Sequence, residues 1–89
     1  MPAFFITYDL TAGDSADYEE LYKAIKSYGT WARITESSWT VVTEDDVKTV
    51  RDNLMQFMHD NDRLFVLKSG VAAAWHNVRC RNSWLKKWL

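Results

Sequence analysis

Apolar residues change their spacing several times along the 89-residue chain, and each change predicts a new element of secondary structure. The opening segment AFFITYDL barely alternates, which is typical of a strand covered on both faces. A helical spacing follows, in which the apolar residues share one face: Tyr18, Leu21, Tyr22, Ile25 and Tyr28. We expect Asp14 or Ser15 to cap the start of this helix and Gly29 to end it in the left-handed conformation.

The middle of the chain predicts two further strands, a second helix and a fourth strand. TWARIT and SWTVVT are rich in β-branched and aromatic residues, and a turn near Glu36 and Ser37 joins them. Thr43 and Asp46 resemble a capping box that opens the second helix. The apolar side of that helix is formed by Val47, Val50, Leu54, Phe57 and Met58. RLFVLK is the predicted fourth strand, and NSWLKKWL predicts a short terminal helix.

This order of elements predicts an α+β fold of the ferredoxin-like type, a βαββαβ sheet with two helices on one face and a C-terminal helical tail. The chain would form one domain over residues 1–89, with a core over 3–68 and a tail over 70–89. Trp31, Trp39 and neighbouring apolar side chains need burial, and one face of the sheet lacks a cover. We predict that a homodimer provides this cover face to face, and the alternative is a folded-back tail.

Composition narrows the class of protein. Apolar residues make up 47% of the chain and charged residues 26%, which is a globular balance. Cys80 is the single cysteine, so no internal disulfide can form, and a reducing cytoplasm is the expected location. If exposed, its thiol would be activated by Arg79 and Arg81, but we expect an incidental thiol. The N-terminus predicts neither a signal peptide nor a membrane span, so no membrane partner is expected.

Charge is distributed unevenly. Residues 1–62 hold all twelve acids and five bases, whereas residues 63–89 hold six bases and no acid. The basic part either contacts RNA or DNA or docks on an acidic surface of this chain or a second copy. The predicted phosphate contacts there are Arg79, Arg81, Lys86 and Lys87. Trp84 and Trp88 are expected to pack as an apolar face, and stacking on unpaired bases is the alternative.

Two short motifs resemble a known family. FITYDL, in which Asp9 closes the first strand, and RITESSWTV, with Arg33, Ser37 and Trp39, are similar to the second CRISPR-associated protein and to virulence-associated protein D. The resemblance covers about residues 3–68, and because the last third differs, we predict a free-standing relative. It implies a ferredoxin-like homodimer that acts as a metal-dependent ribonuclease or as a nucleic-acid scaffold.

The resemblance places the catalytic, metal-binding carboxylate on Asp9, with Mg²⁺ as the implied ion. One aspartate per chain is too few for magnesium, but a twofold axis could bring two copies together. The alternative is that Asp9 caps the strand end, and we expect Asp14 and Asp17 to serve the helix start. Arg33 and Ser37 join the tail as predicted nucleic-acid contacts. The hypotheses are therefore a metal-dependent endoribonuclease or a non-catalytic module that binds nucleic acid or protein.

Overall fold

Four strands and three helices follow one another in the computed structural model, which describes residues 2–11, 18–70 and 72–89. In chain order they are β1 (Ala3–Asp9), α1 (Glu19–Lys26), β2 (Thr30–Thr35), β3 (Ser38–Val42), α2 (Val47–Met55), β4 (Arg63–Lys68) and α3 (Asn82–Trp88). The predicted α+β class is confirmed. The bounds of β2 and β4 coincide with the TWARIT and RLFVLK segments, where β-branched and aromatic residues favour extended backbone.

The four strands form one sheet in the order β2-β3-β1-β4, with every neighbouring pair antiparallel. This order is compatible with the ferredoxin-like arrangement. The central strand β1 places Phe5 opposite Thr40 of β3 and opposite Leu67 of β4. Strands β2 and β4 are the two edges of the sheet, so each has one side without a strand partner.

The main core lies between the sheet and helices α1 and α2. Alternate residues of β1 and β3 face these helices and meet their apolar sides; the most deeply buried are Phe4, Ile6, Leu21, Ile25, Trp39, Val41, Val50 and Leu54. Burying each such aliphatic or aromatic side chain contributes about 1.5–3 kcal/mol. Trp39 is 1% exposed within this core and Trp31 packs against it. The expectation of a cover from a second copy or the tail is therefore wrong for Trp39, which the helices cover, whereas Trp31 stays partly exposed and lines a cavity with residues of the tail.

The ends of the helices follow local rules. Gly29 has a φ of 87°, the predicted left-handed conformation, but α1 ends three residues earlier, at Lys26. At the start of α2 the prediction needs correction, because Asp46 is the cap and its carboxylate accepts a 2.8 Å hydrogen bond from the amide of Thr49. The Thr43 hydroxyl instead accepts from the amide of Asp45, at 3.2 Å. The predicted cap residues Asp14 and Ser15 lie outside the described residues.

The sheet face opposite α1 and α2, which we call the open face, is covered over part of its area by the C-terminal segment (residues 72–89). Leu85 of α3 is 1% exposed and lines an apolar cavity of about 260 Å³ together with Phe5 and Thr40 of the open face. Nearer β4, Phe65 and Leu67 are 56% and 51% exposed. The open face is thus covered above its centre and exposed along β4.

Candidate nucleic-acid interface

The C-terminal segment returns to the outer edge of β2 and places basic residues there. The backbone amide of Arg79 donates a 3.0 Å hydrogen bond to the carbonyl of Ile34 in β2. The Arg79 guanidinium also donates through Nη1 to the Glu36 carboxylate, at 2.9 Å. A main-chain contact and a side-chain contact therefore fix the same residue beside the edge strand.

A groove runs between β2 and this returning segment. Its cavity is about 280 Å³ and is lined by Trp31, Ala32, Arg33, Arg79, Cys80, Arg81 and Trp84. We call it the β2 groove. It brings together three of the predicted site residues, Arg33, Arg79 and Arg81, although Arg33 is more than 40 positions before the other two in the sequence. Guanidinium groups and indole rings in one groove can contact phosphates and base faces, respectively.

Arg33 is the most constrained of the three arginines. Its guanidinium lies 5.1 Å from the ring centroid of Tyr22 and 5.0 Å from that of Trp39, a cation–π arrangement with both. Its Nη2 donates a 2.6 Å hydrogen bond to the carbonyl of Glu36. Its Nε is buried and has no hydrogen-bond partner among the described residues. Arg33 therefore serves the packing of the sheet edge as well as the groove.

Further cations lie against the aromatic rings at and near the groove. Lys26 Nζ is 5.3 Å from the ring centroid of Trp31. Lys87 Nζ is 5.1 Å from that of Trp88, and the Trp84 and Trp88 rings are 6.4 Å apart. Trp84 and Trp88 pack on each other as predicted but remain half-buried, so part of each ring faces solvent.

Cys80 lies in the lining of the groove between Arg79 and Arg81. Burial is the main influence on its thiol and raises the pKa of Cys80 above its ordinary value. The thiol is therefore held in its protonated, less nucleophilic form near neutral pH. This agrees with the expectation of an incidental thiol and argues against the reactive one.

The remaining predicted nucleic-acid contacts lie outside the lining of the groove. Ser37 is exposed in the turn between β2 and β3, where its carbonyl accepts a 3.1 Å hydrogen bond from the amide of Tyr8. Lys86 is exposed on α3. Lys87 contacts Trp88. These residues can extend a contact surface beyond the groove, but they do not form it.

Asp9 lies toward the β4 edge of the sheet, whereas the β2 groove lies at the opposite edge. It faces Arg63 across the β1–β4 pair, and Arg63 Nη1 is 2.9 Å from Asp9 Oδ2. The side chain of Asp9 is 62% exposed and that of Arg63 is 79% exposed. One carboxylate oxygen is thus already engaged by a cation. Within the ranges 2–11, 18–70 and 72–89, no group of three or more His, Cys, Asp or Glu side chains could hold a metal ion.

Magnesium therefore does not fit the described residues of one chain on their own, because it needs several oxygen ligands in octahedral geometry. A site shared by two copies, with Arg63 released from Asp9, stays a prediction. Asp14 and Asp17, the expected helix-start carboxylates, lie outside the described residues.

Asp62, which was not predicted as a site residue, is a carboxylate with several hydrogen bonds. Its Oδ1 accepts hydrogen bonds from the amide and hydroxyl of Thr11, at 2.8 and 3.0 Å, and from the Tyr18 hydroxyl, at 3.1 Å. Its Oδ2 accepts from the amide of His59, at 2.8 Å. Desolvation is the largest single influence and would raise the pKa of Asp62, but these hydrogen bonds together lower it. Asp62 joins the end of β1 to the segment before β4.

Trp31 lines the β2 groove and Lys26 lies against its ring, and neither was predicted as a site residue. The signal for them is Gly29, whose left-handed turn reverses the chain and so brings the last turn of α1 beside the first residues of β2. The described part of the chain contains no helix long and apolar enough to cross a membrane. No protein-family model matches the sequence. A comparison with curated proteins likewise gives no significant match.

Proposed function

We propose that this protein binds single-stranded nucleic acid, RNA or DNA, in the β2 groove. The observation that carries the proposal is that Arg33, Arg79 and Arg81 line one cavity with Trp31 and Trp84. Arginine neutralises phosphates, and a base stacked on tryptophan adds about 1–3 kcal/mol of binding free energy. Single strands are favoured because only unpaired bases present their faces to an indole ring.

We further propose that the protein has the ferredoxin-like βαββαβ fold and that the binding function depends on it. The element order and the antiparallel order β2-β3-β1-β4 support it. In this arrangement the edge strand β2 has no strand neighbour on its outer side, which leaves room for the C-terminal segment to complete a groove. The function would therefore be that of a binding or accessory module.

Fluorescence anisotropy with labelled 12-nucleotide single strands of RNA and DNA, and with the corresponding duplex, tests the proposal. Neutralising two contacts in the variant R79Q/R81Q should weaken binding and reduce the slope of log affinity against log salt by about 1.4. The control is K48Q/R51Q, which removes the same charge from α2, outside the groove. Equal losses in both variants, or no binding by the wild-type protein at low salt, would contradict the proposal.

Base stacking on the Trp84 indole ring is tested with a separate variant. Trp84→Leu keeps an apolar side chain in the lining and removes the indole face. We expect weaker binding to single strands with an unchanged salt slope, because the number of phosphate contacts stays the same. Circular dichroism would establish that α3 is retained. An unchanged affinity would mean that the bases do not contact this ring.

Metal-dependent cleavage of RNA in a homodimer is a second candidate. The observation that favours it is the position of Asp9, which by strand alternation belongs to the open face, as do the exposed Phe65 and Leu67. A twofold contact through this uncovered area would bring both Asp9 carboxylates toward one axis. Two carboxylates could then hold Mg²⁺, which supplies a bound nucleophile and stabilises charge on phosphorus.

Asp9→Asn distinguishes the two candidates. Magnesium-dependent cleavage of a labelled RNA that disappears in this variant, while binding persists, would support the nuclease. Sedimentation velocity on the same samples would report the dimer. Absence of cleavage in the wild-type protein, or equal cleavage in Asp9→Asn, would leave the binding module alone.

A further inference from the structure

Glu36 contacts two of the three arginines of the β2 groove through different atoms. Its backbone carbonyl accepts from Arg33 Nη2 at 2.6 Å, and its carboxylate Oε1 accepts from Arg79 Nη1 at 2.9 Å. The carbonyl contact is independent of the side chain at position 36. The carboxylate contact depends on it entirely. A substitution of Glu36 can therefore remove the second contact and leave the first in place.

The carboxylate contact is one that a ligand could displace. The side chain of Glu36 is 87% exposed and that of Arg79 is 48% exposed. Exposed ion pairs contribute little stability, because water solvates both charges well when they separate. The docking of the segment does not need the pair, since the Arg79 amide is hydrogen-bonded to the carbonyl of Ile34. Arg79 can thus exchange its partner without leaving the edge of β2.

We propose that Glu36 is an internal competitor for the nucleic-acid backbone, a carboxylate that occupies Arg79 until a phosphate replaces it. This rests on the proposed function of the β2 groove and adds its regulation. A carboxylate and a phosphate offer similar geometry to a guanidinium, and both can accept its parallel N–H donors. While paired, Glu36 lowers the affinity of the groove by about the same factor for every ligand whose phosphates contact Arg79, so only ligands with further contacts, such as stacking on tryptophan, still bind tightly.

Removing the competitor should strengthen binding. Separating an exposed ion pair lowers affinity by about 1.4- to fivefold, the range that measured surface pairs imply. Loss of repulsion between the carboxylate and the phosphate adds to this at low salt. In Glu36→Gln we therefore expect affinity for a 12-nucleotide single strand to rise about three- to tenfold, with the gain shrinking as salt screens the charges.

The test compares anisotropy titrations of wild-type protein, Glu36→Gln, Glu20→Gln, Arg79→Gln and the double variant E36Q/R79Q at two salt concentrations. Glu20→Gln is the matched control, since it removes the same charge from an exposed ion pair, that with Lys23 at 3.5 Å, in the first turn of α1. The gain from Glu36→Gln should be absent in Glu20→Gln. It should also fall sharply in the Arg79→Gln background, because no guanidinium is left at position 79 to be released.

Each outcome decides between the two proposals. A gain over the wild-type protein that is specific to Glu36→Gln and depends on Arg79 supports the competitor. Wild-type binding with an unchanged or weaker Glu36→Gln overturns the competitor and leaves the groove as the binding site. Equal gains in Glu36→Gln and Glu20→Gln reduce the effect to net charge and also overturn it. No binding by any variant at low salt overturns both proposals.

Discussion

The backbone amide of Arg79 is hydrogen-bonded to the carbonyl of Ile34 at 3.0 Å, which joins the C-terminal segment to the edge strand β2. This bond lies beside the β2 groove, and Leu85 a few residues later is buried on the open face. The C-terminal segment therefore carries both one wall of the β2 groove and Leu85, the buried side chain that anchors the segment to the open face. Weakening the anchor should affect the stability of the protein and the binding of nucleic acid together.

Leu85→Ala tests this connection. The side chain is 1% exposed, so its truncation should lower the free energy of unfolding by about 2–4 kcal/mol and weaken single-strand binding. Urea denaturation followed by tryptophan fluorescence measures the first effect. Ser83→Ala, at an exposed position of the same helix, is the control and should change stability little. A Leu85→Ala protein as stable as the wild type would show that α3 does not pack on the sheet.

The hydrogen bond between Trp39 and Tyr8 predicts a second stability effect. Trp39 Nε1 donates to the Tyr8 hydroxyl at 2.9 Å, and both side chains are buried. Tyr8→Phe leaves the indole N–H without its acceptor, which should lower the free energy of unfolding by about 1–3 kcal/mol. Tyr28→Phe is the comparison, since its hydroxyl bonds to the half-buried Asn53, which can turn to water. Thermal unfolding should rank Tyr8→Phe as the less stable variant.

Asp62 predicts a pH dependence of stability. Its pKa is lowered in the folded protein by hydrogen bonds that outweigh desolvation. Asp62 should therefore stabilise the fold above about pH 3.9, the usual pKa in an unfolded chain, and lose this effect as pH falls through its lower folded-state pKa. Urea midpoints of wild type and Asp62→Asn should differ most at neutral pH and converge below about pH 4.

The neighbouring Asp60→Asn is the control for this titration, because Asp60 is exposed and the substitution removes the same charge. It should leave the neutral-pH midpoint close to that of the wild type. A constant difference between wild type and Asp62→Asn from neutral to strongly acid pH would show that the carboxylate charge is not what matters.

The ion pair of Asp9 and Arg63 should contribute little to stability. Both side chains are more than half exposed, so Asp9→Asn and Arg63→Gln should each change the free energy of unfolding by less than about 1 kcal/mol. Thermal unfolding at low and high salt measures this. The result matters for the cleavage test, since a large destabilisation would make loss of activity in Asp9→Asn uninformative about chemistry.

Much of the sheet could be predicted because its signals are local. The segments TWARIT and RLFVLK carry their own strand preference and ended where expected. SWTVV alternates from Ser38 to Val41 and so places Trp39 and Val41 on one face, but alternation does not tell which face the helices cover, and therefore the surroundings of Trp39 could not be predicted. The helix start at Asp46 was misplaced by three residues because Thr43, Asp45 and Asp46 all offer cap chemistry.

The groove could be predicted only in part. The basic residues and tryptophans near the C-terminus favoured either a polyanion surface or docking on an acidic surface, and their uneven distribution along the chain is visible in the sequence. Its position beside β2 depends on contacts such as Arg79 with Ile34 and with Glu36, more than 40 residues apart. Residues 72–81 have no regular spacing of apolar side chains, so nothing local indicates their path across the open face.

The returning segment also bears on aggregation. A bare sheet margin can recruit a strand from another molecule, and Arg79 occupies an acceptor of β2 that such a strand would use. Truncation before residue 72 would free that margin and uncover Phe5, Ile34 and Thr40 at the same time. The shortened chain should then assemble into β-rich aggregates at concentrations where the 89-residue chain remains dispersed. The C-terminal segment would thus protect the sheet from self-association.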